Sequence, residues 1–208
     1  MTRATTRQKI LSAAIESFAQ NGYAGTTASQ ICKRANANIA AVNYHFGSKD
    51  ALFEQAIAEA FSIAERTYPL EDESCETPEA QLRYFMSSVI RRVFDDGPAG
   101  RIDQIVCHEL NRPSGPNPLV LQEIQKRQGQ RVRKILGKLL DTRSEKLLNQ
   151  AHANIAALCF FVKVAKPLQK RIFPEPPTPS QLDHYIHGQI EFALAGLAAL
   201  KNSFSNKK

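Results

Sequence analysis

The 208-residue chain predicts an all-α fold. Three observations carry that expectation. Apolar residues recur at three- and four-residue spacing along most of the chain, the period of a helix with one buried face. No stretch shows the two-residue alternation of a half-buried strand. Helix-start signals recur between the periodic segments, at Thr27 with Gln30, Thr77-Pro78, Asn117-Pro118 and Thr178-Pro179 with Gln181. About nine helices are expected, divided into an N-terminal three-helix domain over residues 1–48 and a second helical domain over 49–208.

The first helix runs from about Thr6 to Asn21, with Ile10, Leu11, Ala14, Ile15 and Phe18 on one face. Gly22 stops it, and Gly25 loosens the loop that follows. Thr27 caps a second helix, and Ile31 and Ala35 lie on its inner face. Asn36 is one of the few non-glycine types that tolerates a left-handed turn. Asn38 then caps a third helix, Ile39 to Tyr44. Ile31, Ile39, Val42 and Phe46 are expected to form a small core with the first helix. Gly47 makes a short break, and Ser48 caps the fourth helix. That helix spans 49–68, carries Leu52, Phe53, Ala56, Ile57, Ala60 and Phe61 inward, and serves as connector between the domains. It is about 30 Å long at the rise of an α-helix.

Pro69 ends the connector, and residues 71–76 form an acidic loop. A fifth helix after Thr77-Pro78 presents Leu82, Phe85, Met86, Val89, Ile90 and Val93. Asp95-Asp96-Gly97-Pro98 breaks it, and a sixth covers Arg101 to Arg112. Asn117-Pro118 opens a seventh, running to about Leu140, and an eighth runs from Ser144 or Leu148 to Phe173. Pro174 to Pro177 is an extended linker. Thr178 caps the ninth helix, with Leu182, Ile186, Ile190, Ala193, Leu194 and Leu197 inward. The tail, Ser203 to Lys208, is expected to be disordered.

Two short helices joined by three or four residues make a helix-turn-helix, whose second helix enters the DNA major groove. Here the second helix carries Ala40 and Ala41, small enough for close approach to base edges, and Asn43, able to hydrogen-bond bases or phosphates. Tyr44, His45 and Lys49 fall where that helix meets the sugar-phosphate backbone. Thr27, Lys33 and Asn38 complete the candidate contacts. Lys33 and Arg34 have an equally good reading as solvated charges on the second helix, and Tyr44 has a packing reading.

Charge supports a polyanion partner. Net charge is +7, with a pI near 9.3. Within residues 1–49, Arg3, Arg7, Lys9, Lys33, Arg34 and Lys49 stand against Glu16 alone. Arg3, Arg7 and Lys9 open a helix whose dipole would favour acids there, which points to an external anion. A second basic face, Lys126, Arg127, Arg131, Arg133, Lys134 and Lys138, reads either as another nucleic-acid surface or as a solvated face paired with the acidic loop.

The motif resembles the DNA-binding domain of TetR-family transcriptional regulators. The matching residues are Thr26, Thr27, Ile31, Ala35, Tyr44, Phe46, Lys49 and Leu52. Cys32 replaces the usual alanine, and Asn36, Ala37 and Asn38 replace Gly-Val-Ser. Asparagine substitutes for glycine at a left-handed position and for serine at a cap, so the turn geometry survives. The ending Val42 to Lys49 is similar to a subgroup labelled CerR-like.

The resemblance implies a repressor that binds an inverted-repeat operator in double-stranded DNA as a homodimer and releases it on binding a small-molecule effector. It places the dimer contact on the last two helices, over Ala156 to Val164 and Ile190 to Leu200, with Phe160, Phe161, Ala193 and Gly196 as candidates. It makes 49–208 a ligand-binding and dimerisation domain, in which Phe85, Met86, Cys107, His108, Phe160 and Lys163 are the candidate effector contacts. The alternative is a DNA-binding regulator with no small-molecule effector, controlled by a protein partner or by abundance.

Other classes fit less well. No run of 18 apolar residues suggests a membrane helix, and the charged N-terminus lacks the apolar region of a secretory signal. The four cysteines, Cys32, Cys75, Cys107 and Cys159, are scattered without a C-x-x-C pair. They read as reduced thiols of a cytoplasmic protein, redox or metal sensing being the rarer reading, and no metal site or cofactor is expected. His45, Ser48 and Asp50 lie close around a helix start with nothing to orient them as a triad. Gly47-Ser48-Lys49 lacks the earlier glycine and spacing of a phosphate loop, so catalysis is not expected.

Overall fold

Side-chain caps fix where the helices start. The Thr27 hydroxyl accepts from the Gln30 amide at 3.2 Å while the Gln30 side chain accepts from the Thr27 amide at 2.7 Å, both arms of a capping box. Thr178 and Gln181 repeat it, with arms of 3.4 and 2.9 Å. So do Thr5 and Gln8 at the first helix, a signal present in the sequence as Thr-x-x-Gln. Asn38, Ser48, Thr77 and Asn117 cap through their side-chain oxygens. Asn36 adopts the left-handed conformation, φ 50° and ψ 51°, and ends the second helix.

The structure, a computed structural model, describes residues 4–164, 170–173 and 175–205, without the Lys163 and Ser205 side chains. Among the described residues there are ten α-helices and no strand. They are α1 (Thr6–Asn21), α2 (Ala28–Ala35), α3 (Ile39–Phe46), α4 (Lys49–Thr67), α5 (Pro78–Phe94), α6 (Arg101–Leu110), α7 (Pro118–Ile124), α8 (Gln130–Leu140), α9 (Glu145–Val164) and α10 (Pro179–Ser205). A 3-10 turn, Pro98–Gly100, precedes α6.

The chain divides into two compact units, residues 1–67 with 95–123, and residues 68–94 with 124–208. In the first, α1 packs against α2, α4 and α6, and α4 also meets α6 and the 3-10 turn. Ile10, Phe18, Ile31, Leu52, Phe53 and Ile57 are fully buried there. Phe18 and Phe53 meet edge to face, ring centroids 4.8 Å apart. The expected division at residue 48 therefore differs from the packing. The buried stripe of α4 belongs with α1, and α6 joins the same unit.

In the second unit α5 packs against α8, α9 and α10, and those three contact one another. Leu82, Met86, Ile90, Leu136 and Ala151 form its fully buried centre. Phe94, Phe173 and Tyr185 make a cluster of three edge-on rings, with centroids 5.4 to 5.8 Å apart.

Several expectations need correction. The helix expected from Asn117-Pro118 to Leu140 is interrupted by a π-helical turn, Gln125–Gly129, which separates α7 from α8. Ile39 is 51% exposed rather than core. At the first position of α3 its side chain leans toward the helix N-terminus, past the end of the packed surface. α10 continues to Ser205, so the expected unfolding from Ser203 is not seen over 203–205. The expected continuation of α9 toward Phe173 crosses residues 165–169, outside the described residues.

Candidate nucleic-acid interface

α3 is a two-turn helix held by its two inward residues. Val42 is 1% exposed and Phe46 6%. Everything else on it is available or half-available. Ala40, Asn43 and Tyr44 are exposed, and Ala41 and His45 are half-buried. Tyr44 is 85% exposed, the most exposed of the large hydrophobic residues described. Among the described residues its one ring contact is His45, edge on at 5.0 Å. An aromatic residue left this exposed at the end of a helix spends no packing energy there.

The sequence candidates fall into three groups. Ala40, Ala41, Asn43 and Tyr44 line the outer face of α3. Thr27 and Asn38 act as caps, and their exposed side chains flank the starts of α2 and α3. Lys33 is exposed near the end of α2 and has no hydrogen bond or ion pair among the described residues. Arg34, its neighbour, is committed: it binds the Glu16 carboxylate at 2.9 Å and the Gln20 side chain at 2.6 Å. Arg7 is also engaged, with its guanidinium 5.3 Å from the Phe46 ring and bonded to Gln55. Arg3 lies outside the described residues.

Lys49 stands apart. Expected at the phosphate backbone, its ammonium donates to the Tyr23 carbonyl at 2.7 Å and lies 4.0 Å from the Tyr23 ring centroid. Burial holds that ammonium below the usual lysine range; Asp50 opposes this and Arg112 adds to it. The Tyr23 hydroxyl donates to the Asp50 carboxylate, which together with burial raises the phenol above its usual range. Arg112 approaches the same ring at 5.7 Å and pairs with the buried Glu109 at 3.3 Å. Glu109 in turn accepts from the Asn117 amide at 3.2 Å. Sequence reading missed Tyr23 altogether. Its one signal was an aromatic residue directly after a helix-stopping glycine.

Thr26, the first residue of the motif, is fully buried. Its hydroxyl lies 2.7 Å from the Gly22 carbonyl and 3.1 Å from the Ser17 carbonyl. It fastens the turn between α1 and α2, while Thr27 beside it caps. Gly22, at φ 67°, sits against His108 of α6, where a Cβ would approach the His108 Cβ at 3.2 Å.

The expected effector contacts fall in both units. Phe85 and Met86 are core residues of the second unit, at 4% and 0% exposure. Phe160 packs beside that core. Cys107 is half-buried and His108 exposed in the first unit. The Lys163 side chain lies outside the described residues. None of the five whose side chains are described lines the three clefts of about 900, 250 and 410 Å³. The expected dimer contacts also separate. Phe161 is 56% exposed and Gly196 is exposed, whereas Ala193 is 4% exposed and belongs to the core of its own chain. Phe192, one residue earlier, is the exposed neighbour, at 71%.

The four cysteines are free thiols, Cys32 and Cys159 buried, Cys75 and Cys107 half-buried. Among the described residues no group of histidine, cysteine and carboxylate side chains could hold a metal ion. No described helix is long and apolar enough to cross a membrane.

Two family models match separate stretches of the chain. Residues 10–56 match the model of the bacterial regulatory proteins of the tetR family. Residues 78–197 match that of the C-terminal domain of the HTH-type transcriptional dual regulator CecR, which agrees with the subgroup suggested by Val42 to Lys49. The probable HTH-type transcriptional regulator YttP of Bacillus subtilis is 28% identical over 93 residues, 45% of this chain and 42% of that protein. The biofilm operon icaADBC HTH-type negative transcriptional regulator IcaR of Staphylococcus aureus is 41% identical over 51 residues, 24% of this chain and 27% of that protein. The matched stretch thus spans less than half of either relative. Among solved structures, the transcriptional regulator FadR from Bacillus subtilis in complex with stearoyl-CoA superposes with a TM-score of 0.67 at 17% identity, over 90% of this chain and 97% of that one. A tetR-family regulator from Shewanella sp. PV-4 does so with a TM-score of 0.65 at 13% identity, over 93% and 98%.

Proposed function

We propose, for a chain that belongs to the TetR family and carries a CecR-type C-terminal domain, the role of a homodimeric repressor that binds a palindromic operator and releases it on binding a small molecule. The observation that carries the DNA-binding part is α3 itself. It is capped at Asn38, anchored by Val42 and Phe46, and presents Ala40, Asn43 and Tyr44 outward with no packing role. Phosphate contacts would supply most of the affinity, with Lys33 the available cation at the end of α2. Side chains on α3 would supply the sequence preference.

The dimer reading draws on α9 and α10. Phe161, Val164 and Phe192 are exposed there, beside Ala157 and Gly196. Exposed aromatic residues grouped this way support a protein–protein contact. A two-fold pair would present two copies of α3 to two half-sites. Release by an effector is supported by the family and by FadR, which holds stearoyl-CoA. The site is proposed in the C-terminal domain, and the protein is placed in the cytoplasm.

A second reading, a regulator without a small-molecule effector, is supported by one observation: Phe85 and Met86, two of the expected effector contacts, are buried in the core of the second unit.

The test is a titration against DNA immediately upstream of the coding region, at two salt concentrations. The expected result is tight, salt-dependent binding to an inverted repeat by two or more protomers. Binding no tighter than on random DNA would overturn the reading for that site. A thermal-shift screen for compounds that also release DNA separates the two effector readings.

A further inference from the structure

The basic face of α8 borders a cleft. This cleft, of about 250 Å³, lies in the second unit between the acidic loop, α5 and α8. Arg131, Lys134 and Lys138 edge it from α8, and Tyr84 from α5. Its floor is apolar, with Leu70 and Ile135 at 3% and 7% exposure. Arg131 pairs with Glu71 at 3.3 Å. Lys134, Lys138 and the Tyr84 hydroxyl make no hydrogen bond or ion pair among the described residues. Arg133, on the other side of α8, is satisfied instead by Glu145 and Asn149.

The rim is ordered. Asp72 accepts from the Ser74 amide and hydroxyl at 2.9 and 2.7 Å, and the Gln81 side chain donates to the Cys75 carbonyl at 2.9 Å. The loop is thereby tied back to α5, with Glu71, Asp72 and Glu73 all lining the cleft.

We propose that this cleft binds a small phosphoryl polyanion of the diphosphate class, held by Arg131, Lys134, Lys138 and the Tyr84 hydroxyl, with Glu71 as an internal competitor for Arg131. The three cations occupy positions i, i+3 and i+7 of one helix face. They span about 10 Å along the axis at 1.5 Å per residue. A single carboxylate reaches one of them; a diphosphate, with charge at both ends, reaches more. Arginine and lysine are the donors that suit phosphoryl oxygens, arginine through its fork and lysine as a point charge. The acidic rim argues against a nucleic-acid strand, whose continuous phosphates would meet Glu71, Asp72 and Glu73. A small anion can be held by Lys134, Lys138 and the Tyr84 hydroxyl, which line the cleft and have no other partner among the described residues. The site stands independently of the DNA-binding reading.

The experiment is isothermal titration of the full chain, free of DNA, with inorganic pyrophosphate, sodium chloride being adjusted to constant ionic strength. Saturable binding of one pyrophosphate per chain is expected, with orthophosphate weaker. Lys134→Gln combined with Lys138→Gln should weaken binding by about tenfold or more. Glu71→Gln should strengthen it by removing the competitor. All the altered side chains are exposed, so unchanged melting temperatures without ligand are expected and are measured alongside; Lys138→Gln alone serves if the double variant melts early. No saturable heat up to about 10 mM, or equal affinity in wild type and the lysine variants, overturns the proposal. Equal affinity for orthophosphate and pyrophosphate overturns the diphosphate class.

Discussion

The Lys49 ammonium rests on the face of the Tyr23 ring and bonds the Tyr23 carbonyl at 2.7 Å. This joins the first residue of α4 to the loop between α1 and α2. Only Gly47 and Ser48 separate α4 from α3, so the clamp also fixes where the proposed recognition helix ends.

Lys49→Ala should therefore act mainly through structure. Losing a cation–π contact and a half-buried hydrogen bond should cost about 1–2 kcal/mol of stability. DNA affinity should fall on all sequences alike. The salt slope should change little, because the ammonium is already committed within the protein. Tyr23→Phe keeps the ring and the carbonyl and removes only the bond to Asp50, so it should cost less. Chemical denaturation and DNA titration across salt read both effects.

Tyr44 and Lys33 should behave in the opposite way. Tyr44 is exposed and Lys33 unpaired among the described residues, so neither substitution should move the melting temperature. Lys33→Gln should weaken binding uniformly and lower the salt slope by about 1. Tyr44→Ala, removing no charge, should weaken binding with the slope intact. Unchanged affinity in both variants would take the contact surface away from this end of α2 and α3.

Asn36 offers a test of the turn alone. At φ 50° and ψ 51° it occupies the left-handed region in which the Cβ of most residues is strained. Asn36→Ala should lose about 1 kcal/mol, whereas Asn36→Gly should be neutral or slightly stabilising. Thermal denaturation of the pair measures the difference, free of any change in exposed charge.

These turns also show why much of the fold was legible. Caps are local, and Thr27 with Gln30, Asn36, Asn38 and Thr178 with Gln181 each declare a helix boundary within four residues. Periodicity likewise marked Leu52, Phe53 and Ile57 as inward. Contacts between distant segments left no such mark. Nothing local says that Lys49 meets Tyr23, or that His108 lies against Gly22. The π-turn at Gln125–Gly129 preserved the apolar rhythm closely enough to read as one uninterrupted helix. Ile39 followed the right period but sat at a helix end, where the period does not decide burial.

The faces of α9 and α10 predict a sharp contrast between neighbours. Phe192 is 71% exposed, whereas Ala193 is 4% exposed in the core. Phe192→Asp should leave the chain folded and shift it from dimer to monomer in analytical ultracentrifugation, with cooperative operator binding lost. Ala193→Asp should instead unfold the second unit, because it buries an uncompensated charge. A Phe192→Asp protein that remains dimeric would move the interface off this face.

His152 gives the chain a pH dependence of definite sign. It is half-buried on α9, and burial, with Arg133 nearby, lowers its pKa below the ordinary value of 6.5. Between the depressed folded value and 6.5 the unfolded chain binds a proton that the folded chain does not. Stability from this site is therefore full above 6.5 and declines as pH falls through that window. His152→Gln removes the titration, so its melting temperature should fall less than that of the wild type between about pH 7 and pH 5. The comparison cancels groups common to both proteins. Parallel curves would mean that the folded and unfolded chains bind the His152 proton equally well.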